Sequence, residues 1–395
     1  MKNRVKIRTI LLVVVTLCGQ CKDKYVSPYK SPNVGYLVIE GFISGNIPIQ
    51  YMLSRTLPLP GDTTIPKEEG ATVQVEGSDN TVYVLAGQGN GVYSSVDTLS
   101  LNALARYRLR IHTAEGEDYL SDFVPFRVSP LIDSINWING PTGVTIYANT
   151  HDPANATRYY EWNFVETWEY HSAEQATLEY DTATGYVIAR PAAAEIYTCW
   201  HTDTASNILL GSSIKLAQDV IYEQPLQTLP EHGVQASVLY SMLVYQWSLT
   251  DSGYNYASIM KTNTESLGSI FDVQPSQLAG NIHCLTKPTE PVVGWVSAGT
   301  IQQKRIWIYG TQLAGWDYSY SCPNPDTVIH LLPGDAEDSV KARMAFTEDG
   351  YIPLFAHLTP PMVTADGYIS NFVGCIDCRA QGGTTSRPVY WPPNY

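Results

Sequence analysis

Near its C-terminal end the sequence carries Cys375-Ile376-Asp377-Cys378. Two thiols at that spacing serve either as a redox-active dithiol or as one half of a tetrahedral zinc site. A zinc ribbon needs a second close pair, which Cys284 and Cys322 do not form, and no βαβ pattern surrounds the motif as it does in thiol oxidoreductases. Structural disulfides are therefore the favoured use of Cys199, Cys284, Cys322, Cys375 and Cys378. Their connectivity is not legible in sequence, and because five is odd at least one thiol is left over or pairs between chains.

Carboxylates are the second source of possible chemistry. Glu161, Glu166 and Glu169 lie close together, but at strand spacing they divide between two faces, whereas a glycoside-cleaving pair must converge on one bond. Asp335-Ala336-Glu337-Asp338 offers oxygen ligands without the spacing of a calcium loop and reads as a solvated turn. No GxSxG and no HExxH is present, and no nucleophilic cysteine with a local histidine is found in readable form. Gly87, Gly89 and Gly91 imitate a phosphate cradle, yet they open no helix and read as a hairpin loop. The sequence thus assigns no catalytic residue, no metal ligand and no cofactor site.

From Tyr159 to Tyr170 the even positions Tyr160, Trp162, Phe164, Glu166, Trp168 and Tyr170 share one face at period two, and the odd positions are more polar. Trp162, Phe164 and Trp168 form a candidate contact face for sugar rings or peptide side chains. The competing reading, which the sequence favours, turns the same face into a core, because large apolar patches are seldom left exposed. Glu166 in that stripe then needs a partner.

The elements that must hold these residues are mostly strands. Between Val34 and Val128 short β-rich runs alternate with turn residues: Tyr36–Phe42, Ile49–Leu53, Ala71–Val75, Thr81–Leu85, Val92–Ser95, Tyr107–His112 and Tyr119–Phe126. About seven strands in about 95 residues is the signature of an immunoglobulin-like β-sandwich. Pro130 opens a larger β-rich region, 129–395, with one inserted helix from about Asp251 to Thr264 that presents Tyr256, Ile259, Met260 and Asn263 on one face. Later strands are Val292–Val296, Arg305–Tyr309, Val328–Leu332 and Tyr351–Phe355, with no second long helix. The fold class expected is mainly β.

Residues 1–20 read as an exported leader, with Lys2, Arg4, Lys6 and Arg8 before the short apolar run Ile10–Leu17. That run is too short for a bilayer core of about 30 Å. Cys18 and Cys21 stand where it ends, the place at which a lipoprotein leader requires a cysteine to carry a diacylglyceryl group and a further acyl chain such as palmitate. Cys21 is the preferred lipid site because Lys22-Asp23-Lys24 and the Pro-containing stretch to Asn33 follow it as an extended tether, 21–33. Removing the leader leaves 20 basic residues against 38 acidic ones. With no Lys/Arg-rich stretch after residue 20, that balance excludes a nucleic-acid-binding class, which needs clustered positive charge.

Several segments together resemble a family of Bacteroidota outer-membrane lipoproteins known as domain of unknown function 4249. They are Tyr36-Leu37-Val38-Ile39-Glu40-Gly41, Gly70-Ala71-Thr72-Val73, Gly91-Val92-Tyr93, Tyr107-Arg108-Leu109-Arg110-Ile111, Arg158-Tyr159-Tyr160, Cys199-Trp200, Gln246 to Tyr256, Phe271-Asp272-Val273-Gln274-Pro275 with Gly280-Asn281-Ile282, and the ending around Cys375 to Cys378, Gly382-Gly383 and Pro388 to Trp391. The resemblance implies a lipoprotein, often encoded beside a TonB-dependent outer-membrane receptor, and it supplies no reaction, ligand or catalytic residue. Cys21-Lys22-Asp23-Lys24 resembles the signal that sends such lipoproteins to the cell surface. The expected function is a non-enzymatic accessory subunit of a TonB-dependent receptor in ligand capture or uptake. The alternatives are a structural subunit of an outer-membrane assembly or secretion complex and, last, a surface glycan or peptide hydrolase.

Overall fold

The computed structural model describes residues 35–57, 64–265, 280–318, 320, 322, 327–330, 336–358 and 365–393. The leader and tether, with Cys18 and Cys21, the segment Phe271–Pro275 and Asp335 lie outside the described residues. The protein is mainly β, built from several sheets with few helices.

Alternation of apolar and polar residues shapes the first unit. In the strand Arg106–His112 the side chains of Tyr107, Leu109 and Ile111 are buried while Arg106 and His112 are exposed. Val73 and Val75 of Thr72–Gly77 turn inward opposite Ile111 and Leu109, so apolar cross-strand pairs cover the core. The strand Val82–Gly89 pairs with Thr72–Gly77 through its first half and with Val92–Ser94 through its second. One strand thereby joins two stretches of sheet over a common core of Leu37, Ile39, Tyr51, Leu53, Val73, Val75, Tyr107, Leu109 and Tyr119.

The boundary read at residue 128 is crossed by a segment that returns from far along the chain. Ile282–Cys284 pairs with Asp118–Ser121, Val293–Gly294 lies parallel to Leu37–Gly41, and Ala298–Gly299 lies parallel to both Ile43–Ser44 and Val124–Arg127. Ile282, Cys284, Val292, Val296 and Ala298 enter the same core. The parallel partners depart from the wholly antiparallel sandwich expected from the first 128 residues. Strands of two or three residues leave almost no periodicity to read, and a parallel pair carries no hairpin signal because it needs a long crossover. Gly294 makes the approach feasible: a Cβ there would stand 2.6 Å from the Ile39 carbonyl oxygen. Polar contacts fasten the return, with Lys287 paired to Glu117 and the Tyr119 hydroxyl 2.8 Å from both Glu117 and Glu290.

The second unit packs two sheets face to face. One is Ile132–Gly140, Gly143–Asp152 and Asp219–Pro230; the other runs Thr198–Thr204, Tyr159–His171, Leu239–Ser248, Gln302–Tyr309, with Leu209–Ser212 alongside Tyr159–His171. Val144, Ile146, Tyr160, Trp162, Phe164, Tyr240, Met242, Val244 and Ile308 fill the space between them. A smaller cluster of Ala176, Ile196, Leu354, Cys375 and Ile376 lies by the sheet of Thr327–His330, Gly367–Phe372 and Tyr351–His357.

The expected helix spans Asp251–Glu265. Thr250 caps it, its hydroxyl accepting the Gly253 N–H at 3.1 Å. Its buried residues are Gly253, Tyr256 and Ala257, and Ile259 is exposed, so the inward face is rotated from the one read in sequence. The acidic run read as a solvated turn is instead the first turn of a helix, Ala336–Arg343, with Glu337 and Asp338 at its N-terminus, where negative charge is favourable.

Candidate functional site

The cysteine motif carries no dithiol. Cys378 bonds to Cys199 and Cys375 to Cys322, so the two thiols leave in different directions, and Cys284 is free and buried. Among the described residues no group of three or more His, Cys, Asp or Glu is placed to hold a metal ion. Trp162, Phe164 and Trp168 are buried between the sheets, at 1%, 4% and 8% exposure, so the candidate aromatic contact face is core and not surface. Glu166 finds its required partner there in the Tyr240 hydroxyl, 2.6 Å away.

The odd face of the strand Tyr159–His171, polar in sequence, is where the architecture departs from a solvated exterior. At its far end the C-terminal tail covers it. The Trp391 indole donates to Glu169 at 2.8 Å, the Tyr390 hydroxyl lies 2.8 Å from that of Thr167, and Thr167 and Glu169 are buried. At its near end the helix Asp251–Glu265 covers it, with the Tyr159 hydroxyl donating to Asp251 at 2.8 Å and the Tyr159 and Tyr254 rings 4.8 Å apart. Glu161, Glu166 and Glu169 thus take three separate partners, the Trp247 indole, the Tyr240 hydroxyl and the Trp391 indole.

Between those covers, at the junction of the two β units, lies a cavity of about 440 Å³. The first unit contributes Phe42, Gly294 and Trp295 to its wall, and the second contributes Glu161, Trp247, Tyr256 and Met260. Each unit supplies one ring to each of two aromatic contacts: Phe42 with Trp247 at 6.0 Å between centroids, and Trp295 with Tyr256 at 5.4 Å. Glu161 stands directly opposite Trp247 in the antiparallel register, and the Trp247 indole donates to its carboxylate at 3.1 Å. Solvent reaches part of this side chain, yet the surroundings of the carboxyl are interior in density. Desolvation therefore raises its pKa to about 7, against the smaller opposing effect of the indole donor. No ion pair neutralises Glu161 among the described residues, and the Trp295 indole N–H is buried there without a hydrogen-bond partner.

In the sequence Glu161 stands out only as one of three neighbouring acids, and nothing singles out Phe42, Trp247 or Trp295. The local signal was the acid alone, and joining it to Phe42 and Trp295 required knowing that residues 293–299 return to the first unit.

A two-unit β protein with an aromatic cavity at the junction is the class that fold and site define. The chain belongs to the family described as Domain of unknown function (DUF4249), whose model matches residues 23–305. The cavity residues named above all fall inside that match, whereas Cys322, Cys375 and Cys378 fall outside it. No curated protein matches the chain. A solved structure titled "Biofilm associated protein - BSP domain" is 7% identical over 58% of this chain and 58% of its own, with a TM-score of 0.12. The likeness is too slight to bear on fold or function.

Proposed function

We propose that the protein is an outer-membrane lipoprotein, acylated at Cys21 and held at the cell surface, that captures a small ligand for a TonB-dependent receptor and catalyses no reaction itself. The observation that carries the capture reading is the junction cavity, whose apolar aromatic wall and desolvated acid, Glu161, are the composition of a small-molecule site. The basic, apolar and cysteine-bearing order of residues 1–21 supports the anchor. Tethering such a site near a pore raises the local concentration of its ligand there. A binding role is favoured over a hydrolytic one because Glu161 has no second carboxylate beside it in the cavity wall except Glu40, which is exposed at the rim.

The test is purification of the tagged protein from its native membrane in mild detergent, with the co-purifying proteins identified by mass spectrometry. A stoichiometric TonB-dependent receptor, together with slower uptake of that receptor's ligand when this protein is deleted, is the expected result. Co-purification of an assembly machine, or of no partner, overturns it.

A further inference from the structure

We propose that the junction cavity binds an organic cation with an aromatic or branched apolar body, seating its ammonium group between Glu161 and the rings of Trp247, Phe42, Trp295 and Tyr256. This inference rests on the capture reading and names its ligand class.

The argument is one of charge and surface complementarity. A carboxyl group withdrawn from water without a cation is costly, and proteins normally pair such a group or leave it solvated. Among the described residues Glu161 has one hydrogen-bond donor, the Trp247 indole, which satisfies one oxygen and supplies no charge. Among the described residues, the ionisable groups on the elements packed against it do not supply one either. The strand Leu37–Gly41 brings Glu40, which is acidic and exposed. The helix Asp251–Glu265 brings the Tyr256 phenol into the wall, while its Lys261 is engaged by Glu265 at 3.2 Å and by the Ile208 carbonyl oxygen. The facing strands Leu239–Ser248 and Leu209–Ser212 bring Trp247 and Leu210 opposite Glu161 and no cation.

Aromatic rings line the same cavity as the acid, and the faces of Trp, Tyr and Phe rings attract a cation that they cannot themselves provide. An ammonium ion entering here therefore finds a counter-charge and aromatic rings in one cavity. An apolar body then has Ile39, Leu249, Ala257, Met260 and Val293 to cover it. The unpartnered Trp295 N–H, beside Gly253, adds one donor for an acceptor oxygen elsewhere on the same ligand. A fatty acid or other organic anion would instead place like charges against each other, and a neutral ligand would leave Glu161 as it was. The raised pKa of Glu161 adds a signature: a cation that binds the ionised form expels the proton held near neutral pH.

The experiment is calorimetric titration of the whole soluble chain, lacking only its leader and lipid, with three probes that share one aromatic body: phenethylammonium, 2-phenylethanol and 3-phenylpropionate. At pH 7.5 the ammonium is expected to bind at least tenfold tighter than the alcohol, with the carboxylate weakest. Its affinity should rise from pH 6 to pH 8, with proton release visible as a dependence of the heat on buffer ionisation enthalpy. Glu161→Gln retains an acceptor for Trp247, and it should weaken phenethylammonium at least tenfold, abolish the pH dependence and leave 2-phenylethanol within twofold. Equal or tighter binding of the alcohol or the carboxylate, an unaffected Glu161→Gln variant, or no binding of any probe overturns the proposal. Receptor co-purification without amine binding refutes only the ligand class, whereas amine binding by a protein with no receptor refutes only the capture reading.

Discussion

Replacing Glu161 with Gln should make the protein more stable at pH 8 and leave it unchanged at pH 4. The folded protein holds the Glu161 proton with a pKa of about 7 against 4.5 for the ordinary group, so the folded state binds that proton more tightly than the unfolded one. Stability contributed through this group is therefore complete below about pH 4.5, falls as pH rises toward 7, and levels off above it. A shift of that size corresponds to roughly 3 kcal/mol at pH 8, an order-of-magnitude figure. Glutamine keeps an oxygen where the Trp247 indole donates and removes the charge. Urea unfolding of the oxidised protein, followed by tryptophan fluorescence from pH 4 to 8.5, reads the difference. With a slope of roughly 3 kcal/mol per molar urea, the variant midpoint should exceed that of the parent by about 1 M at pH 8. Glu166 is also raised by burial, so the parent profile alone holds more than one titration, and the difference between the two profiles isolates Glu161. Parallel profiles between pH 5 and 8 would refute the claim that the cavity withholds water from this carboxyl.

Three further outcomes are expected. Cys21→Ser should move the protein from the outer-membrane fraction to the soluble one; retention at the parental level sinks the anchor assignment. Cys378→Ser opens a cross-link between residues 179 apart and should cost up to about 5 kcal/mol in the chain-entropy account, read as a lowered melting temperature under oxidising conditions, whereas no change would mean the bond does not form. Trp391→Ala strips the cover from the buried Glu169 carboxylate and should destabilise by about 3 kcal/mol; a change below 0.5 kcal/mol would show that the C-terminal tail is not seated on the sheet.

Strand positions in the first unit were legible because each is locally written: Tyr107, Leu109 and Ile111 alternate with Arg106, Arg108 and Arg110, and Gly-rich turns separate the runs. The helix was legible from its cap, although its inward face was not. That face is chosen by Trp295 and the first unit, which propensity does not contain. The polar odd positions of Tyr159–His171 looked like a wet face, because the residues that cover them, Tyr254, Tyr390 and Trp391, lie 80 residues and more downstream. The cavity was illegible for the same reason. Its wall is assembled from both β units, and the only local trace was an acid at strand spacing from two others.

The return of residues 282–299 also dictates an order of events in making the protein. A chain synthesised N-terminus first presents the strands from Leu37 to Arg127 early, but their parallel partners Val293–Gly294 and Ala298–Gly299 arrive only after the strands of the second unit up to Leu239–Ser248 have been made. Until then Leu37–Gly41 and Val124–Arg127 offer open hydrogen-bonding edges, the condition in which β-rich intermediates associate wrongly. Completion of the first unit therefore waits on the synthesis of most of the second.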